Sequence, residues 1–137
     1  MLKNKKIGIG ITGSFCSLKK TMYVLNELVK QKCDTYVFVS EKIENCDTRF
    51  DRAKELIAEI EKMINRKVID DVVSAEVFGP KTPLDIMLVM PCSGNTLAKL
   101  TYGINDNAVT MACKSTLRNE KNVVLAITNN IYKLIYF

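Results

Sequence analysis

Four short stretches of the chain are almost wholly apolar: Ile7–Ile11 (IGIGI), Thr35–Val39 (TYVFV), Ile86–Met90 (IMLVM) and Val123–Ile127 (VVLAI). None alternates apolar with polar. That is the pattern of strands buried on both faces, as in a parallel sheet covered by helices. Between them apolar residues recur at helical spacing: Leu18, Met22, Leu25 and Val29, then Phe50, Ala53, Ile57, Ile60 and Ile64, with Leu56 and Met63 widening the second stripe. Strands alternating with helices predict right-handed βαβ units in a three-layer α/β/α sandwich, Rossmann-like and of flavodoxin type. The stretch from Val68 to Asp85 carries the breakers Gly79, Pro80 and Pro83 and reads as an irregular return to the third strand. Residues 96–104 and 107–117 each read as a short helix, with Gly103 and Asn105-Asp106-Asn107 between them. After the fourth strand the chain reads TNNIYKLIYF, whose Ile131, Leu134, Ile135, Tyr136 and Phe137 look like the start of another buried element in a chain cut short.

A length of 137 residues favours one domain, 1–137, lacking its C-terminal part. No apolar run reaches the roughly 18 residues of a membrane helix, and the basic N-terminus lacks a signal-peptide core. The expectation is a cytoplasmic protein with no membrane partner. The net charge of +5 comes from Lys and Arg scattered among acids. That argues against a nucleic-acid surface and leaves a mild attraction for small anions. The five cysteines include no C-x-x-C pair, so neither a disulfide framework nor a metal site is expected. The absence of histidine excludes a Ser-His-Asp or Cys-His hydrolase. Proton transfer then falls to Lys, Asp, Glu, Tyr, Cys or a cofactor.

Ligands of parallel α/β sheets sit outside the carboxyl ends of the strands, where the strand order reverses. Three loops leave such ends with binding chemistry: Thr12-Gly13-Ser14-Phe15, Ser40-Glu41, and Pro91-Cys92-Ser93-Gly94-Asn95-Thr96. The first follows Gly8, Gly10 and Gly13, which spell the G-x-G-x-x-G of dinucleotide sites. In that motif the first glycine ends the strand. Here Gly8 and Gly10 alternate with isoleucines inside it, where close approach of a helix or ligand is the expected role. The acid expected about 20 residues later is missing, and Glu41 lies one residue too far along. A turn for a single phosphate fits better than NAD. In the third loop Ser93, Asn95 and Thr96 offer donors and acceptors and Gly94 gives backbone access. Capping of the next helix by Asn95 or Thr96 is the plainer reading.

The segments IGIGITGSFC, TRF (48–50), GPKTPLD (79–85), PCSGNTLAKL (91–100) and KSTLRN (114–119), in this order, resemble the flavoprotein family that includes the homo-oligomeric flavin-containing cysteine decarboxylases. Within that family the likeness is closer to one member, from spore-forming bacteria. That member works in the mother-cell cytoplasm beside a nicotinamide-binding dehydrogenase subunit in the oxidation that yields a small aromatic dicarboxylate. The resemblance implies a homo-oligomer with an FMN-type site. Gly13 and Ser14 would hold the phosphate, Ser40 would assist, and Ser93, Asn95 and Thr96 would face the flavin. NAD(P) would belong to the partner subunit. The decarboxylases use an early histidine; its absence here argues against cysteine decarboxylation.

A planar dicarboxylate suits bidentate arginine. Arg49 and Arg118 are therefore candidates, with Lys81 and Lys114 as point charges; for each, a plain surface charge is the simpler reading. Glu41, Asp85 or solvent would take the proton. A non-catalytic binding or regulatory module on the same fold is the competing reading, and flavodoxin-like electron transfer sits poorly with a positive net charge. Cys16 and Cys92 flank the two loops. Either could be an activated thiol, and burial as a small apolar residue is the plainer account.

Overall fold

In the computed structural model, residues 2–13, 18–40 and 50–128 are described. They form, in order, β1 (Lys6–Ile11), α1 (Leu18–Lys30), β2 (Asp34–Val39), α2 (Phe50–Ile64), α3 (Val72–Glu76), β3 (Ile86–Ser93), α4 (Gly94–Tyr102), α5 (Ala108–Arg118) and β4 (Asn122–Thr128). The described strands make one sheet, ordered β2-β1-β3-β4, with every pairing parallel. The four apolar runs are these four strands. Among the described residues no helix is long and apolar enough to cross a membrane.

The two faces of the sheet are built from different residues of β1. Its isoleucines, Ile7, Ile9 and Ile11, join Val37 and Val39 of β2 beneath Leu25 of α1 and Ile60 of α2. The opposite face holds Phe38, Met87 and Val89 under Val109, Ala112 and Cys113 of α5, with Ala75 and Phe78. On that side β1 contributes only Gly8 and Gly10. A Cβ on Gly10 would stand 2.8 Å from Val109 Cγ1 and 2.9 Å from Met87 Cε; one on Gly8 would stand 2.6 Å from Leu84 Cδ1 and 2.7 Å from Met87 Sδ. The two glycines therefore let β3 side chains and α5 close onto the strand, and neither reaches the loop where a ligand would lie.

Three details depart from the sequence expectation. β3 runs three residues past Met90, through the cis Met90–Pro91 peptide. The register against β4 shifts between Val89 and Cys92, an irregularity of the kind that tolerates proline within a sheet. The stretch after Val68 is not wholly irregular. Ile69 bridges β2 beside Phe38, and Asp71 caps α3 by accepting from Ser74 N at 2.8 Å. Finally, α4 starts at Gly94, with Ser93 as its N-cap.

Candidate functional site

The strand order reverses between β1 and β3, which places the switch point where Thr12-Gly13 and Ser93-Asn95 leave the sheet. Thr12 joins the two ends. Its hydroxyl, in a residue 1% exposed, donates to Pro91 O at 2.7 Å and accepts from Ser93 N at 2.9 Å. Thr12 N also donates to Pro91 O, at 3.3 Å. From α1, Thr21 donates to Met90 O at 3.0 Å. The end of β3 is thus held by both β1 and α1.

A cavity of about 160 Å³ opens above this junction. Thr12 and Gly13 line it from β1, Ser40 from β2, and Ser93, Asn95, Thr96 and Lys99 from the β3 end and α4; Asp106 and Asn107 close the far wall. The N-termini of two helices converge here. Ser93 Oγ accepts from Thr96 N at 3.2 Å and donates to Thr96 Oγ1 at 3.0 Å. Asn107 caps α5, accepting from Thr110 N at 3.0 Å, while Thr110 Oγ1 accepts from Asn107 N at 3.3 Å. Helix N-termini carry partial positive charge and favour anions.

One group in the cavity is unsatisfied. Ser40 is 7% exposed, and its hydroxyl has no hydrogen-bond partner among the described residues; only its backbone N–H is bonded, to Ile11 O at 3.3 Å. Buried hydroxyls are nearly always paired. A hydroxyl left open on a wall shared with two helix N-termini fits the oxygens of an anionic ligand. The volume fits one phosphate or carboxylate with its water. It is well below the roughly 300 Å³ at which whole-ligand pockets begin, so it has room for only part of a larger molecule.

Of the residues singled out from sequence, Gly13, Ser40, Ser93, Asn95 and Thr96 meet in this cavity, and Gly94 begins α4 between two of them. The cap of α4 is Ser93, in place of the expected Asn95 or Thr96, and Asn95 is exposed. Ser14, Arg49, Glu41 and Cys16 lie outside the described residues. The structure does not bring the other charged candidates to this cavity. Lys114 and Arg118 line two separate cavities of about 320 and 530 Å³. Arg118 stands ten residues along α5 from Ala108, roughly 15 Å at the rise of a helix. Lys81 is exposed on the turn leading into β3. Asp85 lies at the opposite, amino end of the strands, where its Oδ2 accepts from Lys6 N at 2.8 Å and its own N–H donates to Lys6 O at 2.8 Å. It is a structural clasp for the start of β1, placed away from any proton leaving a ligand in the cavity.

Lys99, Asp106 and Asn107 also line the cavity, although nothing in the sequence marks them strongly. The approach of Lys99 to Asp106 depends on the turn at Gly103, whose φ of 71° lies in the left-handed region that glycine favours.

Cys92 and Cys113 are fully buried. Burial pushes the Cys92 thiol up to about 11 and the Cys113 thiol up to about 12, the latter also raised by Cys92 beside it. Both are core residues, which for Cys92 is the plainer of the two roles open to it from sequence. A thiol-specific disulfide reagent at neutral pH is expected to leave both unmodified until the chain is unfolded; prompt labelling of either in the native protein would contradict the burial. The sign of the pH effect follows. Above the ordinary thiol value of 9.0 the unfolded chain loses these protons first, so stability is intact below pH 9 and falls above it, by about 1.4 kcal/mol per pH unit for each thiol. Urea melts at pH 8 and pH 10, compared with the Cys92→Ala, Cys113→Ala chain, measure the effect.

Residues 1–134 match the flavoprotein family. The chain belongs to the flavoprotein family. The B subunit of dipicolinate synthase from Bacillus subtilis is 39% identical over 129 residues, which cover 94% of this chain and 64% of that protein. The crystal structure of the corresponding dipicolinate synthase polypeptide from Bacillus halodurans superposes with a TM-score of 0.85 at 35% identity, covering 98% of this chain and 69% of that one. A dodecameric FMN-dependent Ubix-like decarboxylase from Escherichia coli O157:H7 has the same fold, with a TM-score of 0.76 at 20% identity, over 92% of this chain and 68% of that one. This flavoprotein chain thus spans somewhat less than two-thirds of the Bacillus subtilis relative. The Rossmann-like sandwich expected from the apolar runs is the fold of the family.

Proposed function

We propose that this chain is the flavoprotein-type component of a dipicolinate synthase. It would act with a nicotinamide-dependent dehydrogenase subunit in the oxidation that makes dipicolinate in the cytoplasm of a sporulating cell. The observation that carries the reading is the 39% identity to the Bacillus subtilis protein, which runs along 94% of this chain. The switch-point cavity supports it. Gly13 and the Ser40 hydroxyl, with Ser14 next to Gly13 in sequence, would receive the phosphate of FMN. Asn95 would face the flavin ring from the exposed first turn of α4, while Ser93 and Thr96, bonded to each other, hold that turn rigid. Bound FMN would supply a hydride acceptor. The chain's own part is to bind, orient and exclude water. It offers no imidazole for the proton. A homo-oligomer, like the dodecameric neighbour, is part of the proposal.

The test is direct. The natively purified protein is expected to show the visible flavin absorption band and to release FMN on denaturation. Mixed with the dehydrogenase subunit, it should make dipicolinate formation depend on its concentration. A rate indifferent to its presence would sink the reading. Ser40→Ala should weaken FMN binding about three- to tenfold, the net worth of one hydrogen bond, with no loss of thermal stability, because the hydroxyl gives up no partner among the described residues. Flavin fluorescence titration and a melting curve measure the two arms.

A further inference from the structure

Two side chains lining the switch-point cavity are charged, Lys99 and Asp106, and they hold each other: Lys99 Nζ donates to both carboxylate oxygens of Asp106 at 2.9 Å. We propose that Lys99 is the cation of an anion subsite in this cavity and that Asp106 is its built-in competitor, an internal carboxylate that a ligand's phosphate or carboxylate oxygens displace. The proposal rests on the reading above for the identity of the ligand, though not for the existence of the subsite.

Three observations carry it. The first is exposure. The Lys99 side chain is 23% exposed and that of Asp106 55%. Asp106 can therefore turn into water at little cost, while Lys99 stays on the cavity wall; pairs this open contribute little to stability and exchange readily. The second is the setting. The cavity already gathers the N-termini of α4 and α5 and the Ser40 hydroxyl, 7% exposed and without a hydrogen-bond partner among the described residues, so its other walls favour an anion independently of Lys99. The third is placement. The other cations suited to a dicarboxylate among the described residues, Lys81, Lys114 and Arg118, do not line this cavity. Lys99 alone among the described residues brings positive charge to it. Asp106 then sets a threshold: a neutral ligand leaves the pair intact, whereas an anion gains Lys99 only by outcompeting a carboxylate.

The rival account on the same geometry is that the pair merely staples α4 to the loop at 103–107. The two accounts predict opposite signs. A staple is broken equally by Lys99→Met and Asp106→Asn, and both would weaken ligand binding. A competitor is removed by Asp106→Asn, which should tighten it.

The experiment titrates wild type, Lys99→Met, Lys99→Arg and Asp106→Asn with FMN, riboflavin and dipicolinate, with a melting curve for each variant. FMN and riboflavin differ only by the phosphate. Lys99→Met should lose about tenfold in anion affinity and Asp106→Asn should gain severalfold, with Lys99→Arg near wild type and riboflavin unmoved throughout. If these shifts appear in the ratio of FMN to riboflavin, the subsite takes the phosphate; if they appear only with dipicolinate, it takes a substrate carboxylate. Weakening by both neutral variants, or no change in either, overturns the proposal. Should the wild-type chain take up neither flavin nor dipicolinate, the functional reading fails by itself. Calorimetric titration with inorganic phosphate then decides the subsite by the same opposite signs.

Discussion

Gly10→Ala is expected to destabilise the chain by about 1–3 kcal/mol, the cost of forcing a methyl into a packed core, while leaving ligand affinity unchanged. Of the two atoms closer than 3 Å to the added Cβ, Met87 Cε ends a flexible chain and can swing aside. Val109 Cγ1 cannot. Its side chain is β-branched, fully buried and carried on α5. Val109 should therefore set the cost, and the companion substitution shows it. Val109→Ala alone loses about 1–3 kcal/mol through the cavity it leaves. In the double variant the new methyl fills part of that cavity, so the combined loss should fall short of the sum of the single losses by about 0.5 kcal/mol. Urea melts of the four chains measure the cycle. A strictly additive pair, or a Gly10→Ala protein of full stability that no longer binds its ligand, would return this glycine to the dinucleotide role that its motif suggests.

Thr12→Val is the second large effect. Valine keeps the shape and removes the hydroxyl that bridges the end of β1 to the end of β3. Pro91 O keeps a bond from Thr12 N, so the group stranded is Ser93 N. Leaving one such donor unpaired costs about 1–3 kcal/mol. Ser93 also caps α4 and holds Thr96. Its displacement should reach the cavity, with ligand affinity falling about tenfold, or 1.4 kcal/mol. Thr12→Ser restores the bridge and should recover most of both losses. Equal behaviour of the serine and valine variants would mean that the hydroxyl does not brace the site.

The strands were legible because each is a short continuous apolar run, and physics allows few other homes for TYVFV or IMLVM; the burial on both faces expected of such runs fails only in β4, where Val124 and Ile127 are exposed. The end of β3 was not, since Pro91 reads as a stop and only a register shift lets the strand continue past it. α3 is one turn and a half, too short for any period to register, and its sole trace is the D-x-x-S of its cap. At the site, the loops Thr12-Gly13 and Ser93–Thr96 could be paired in advance because parallel topology brings the ends of neighbouring strands together. Which edge of the sheet Lys81, Lys114 and Arg118 would reach depends on how far along a helix or turn each one sits. Spacing in the chain does not say which end of that element faces the ligand. Lys99 and Asp106 needed the turn at Gly103 to meet.

The Thr12 bridge to Pro91 joins residues 79 apart in the chain, and Thr21 reaches Met90 across 69. Pairings this remote close large loops and are expected late in folding, after local helices have formed. The cavity is not assembled until the first and third strands lie side by side. Helix content can therefore be high in a chain whose central seam is still open. Ligand uptake reports something stricter, that the last long-range register has locked, and it makes the binding assay a sharper measure of a correctly folded population than any spectroscopic count of helix.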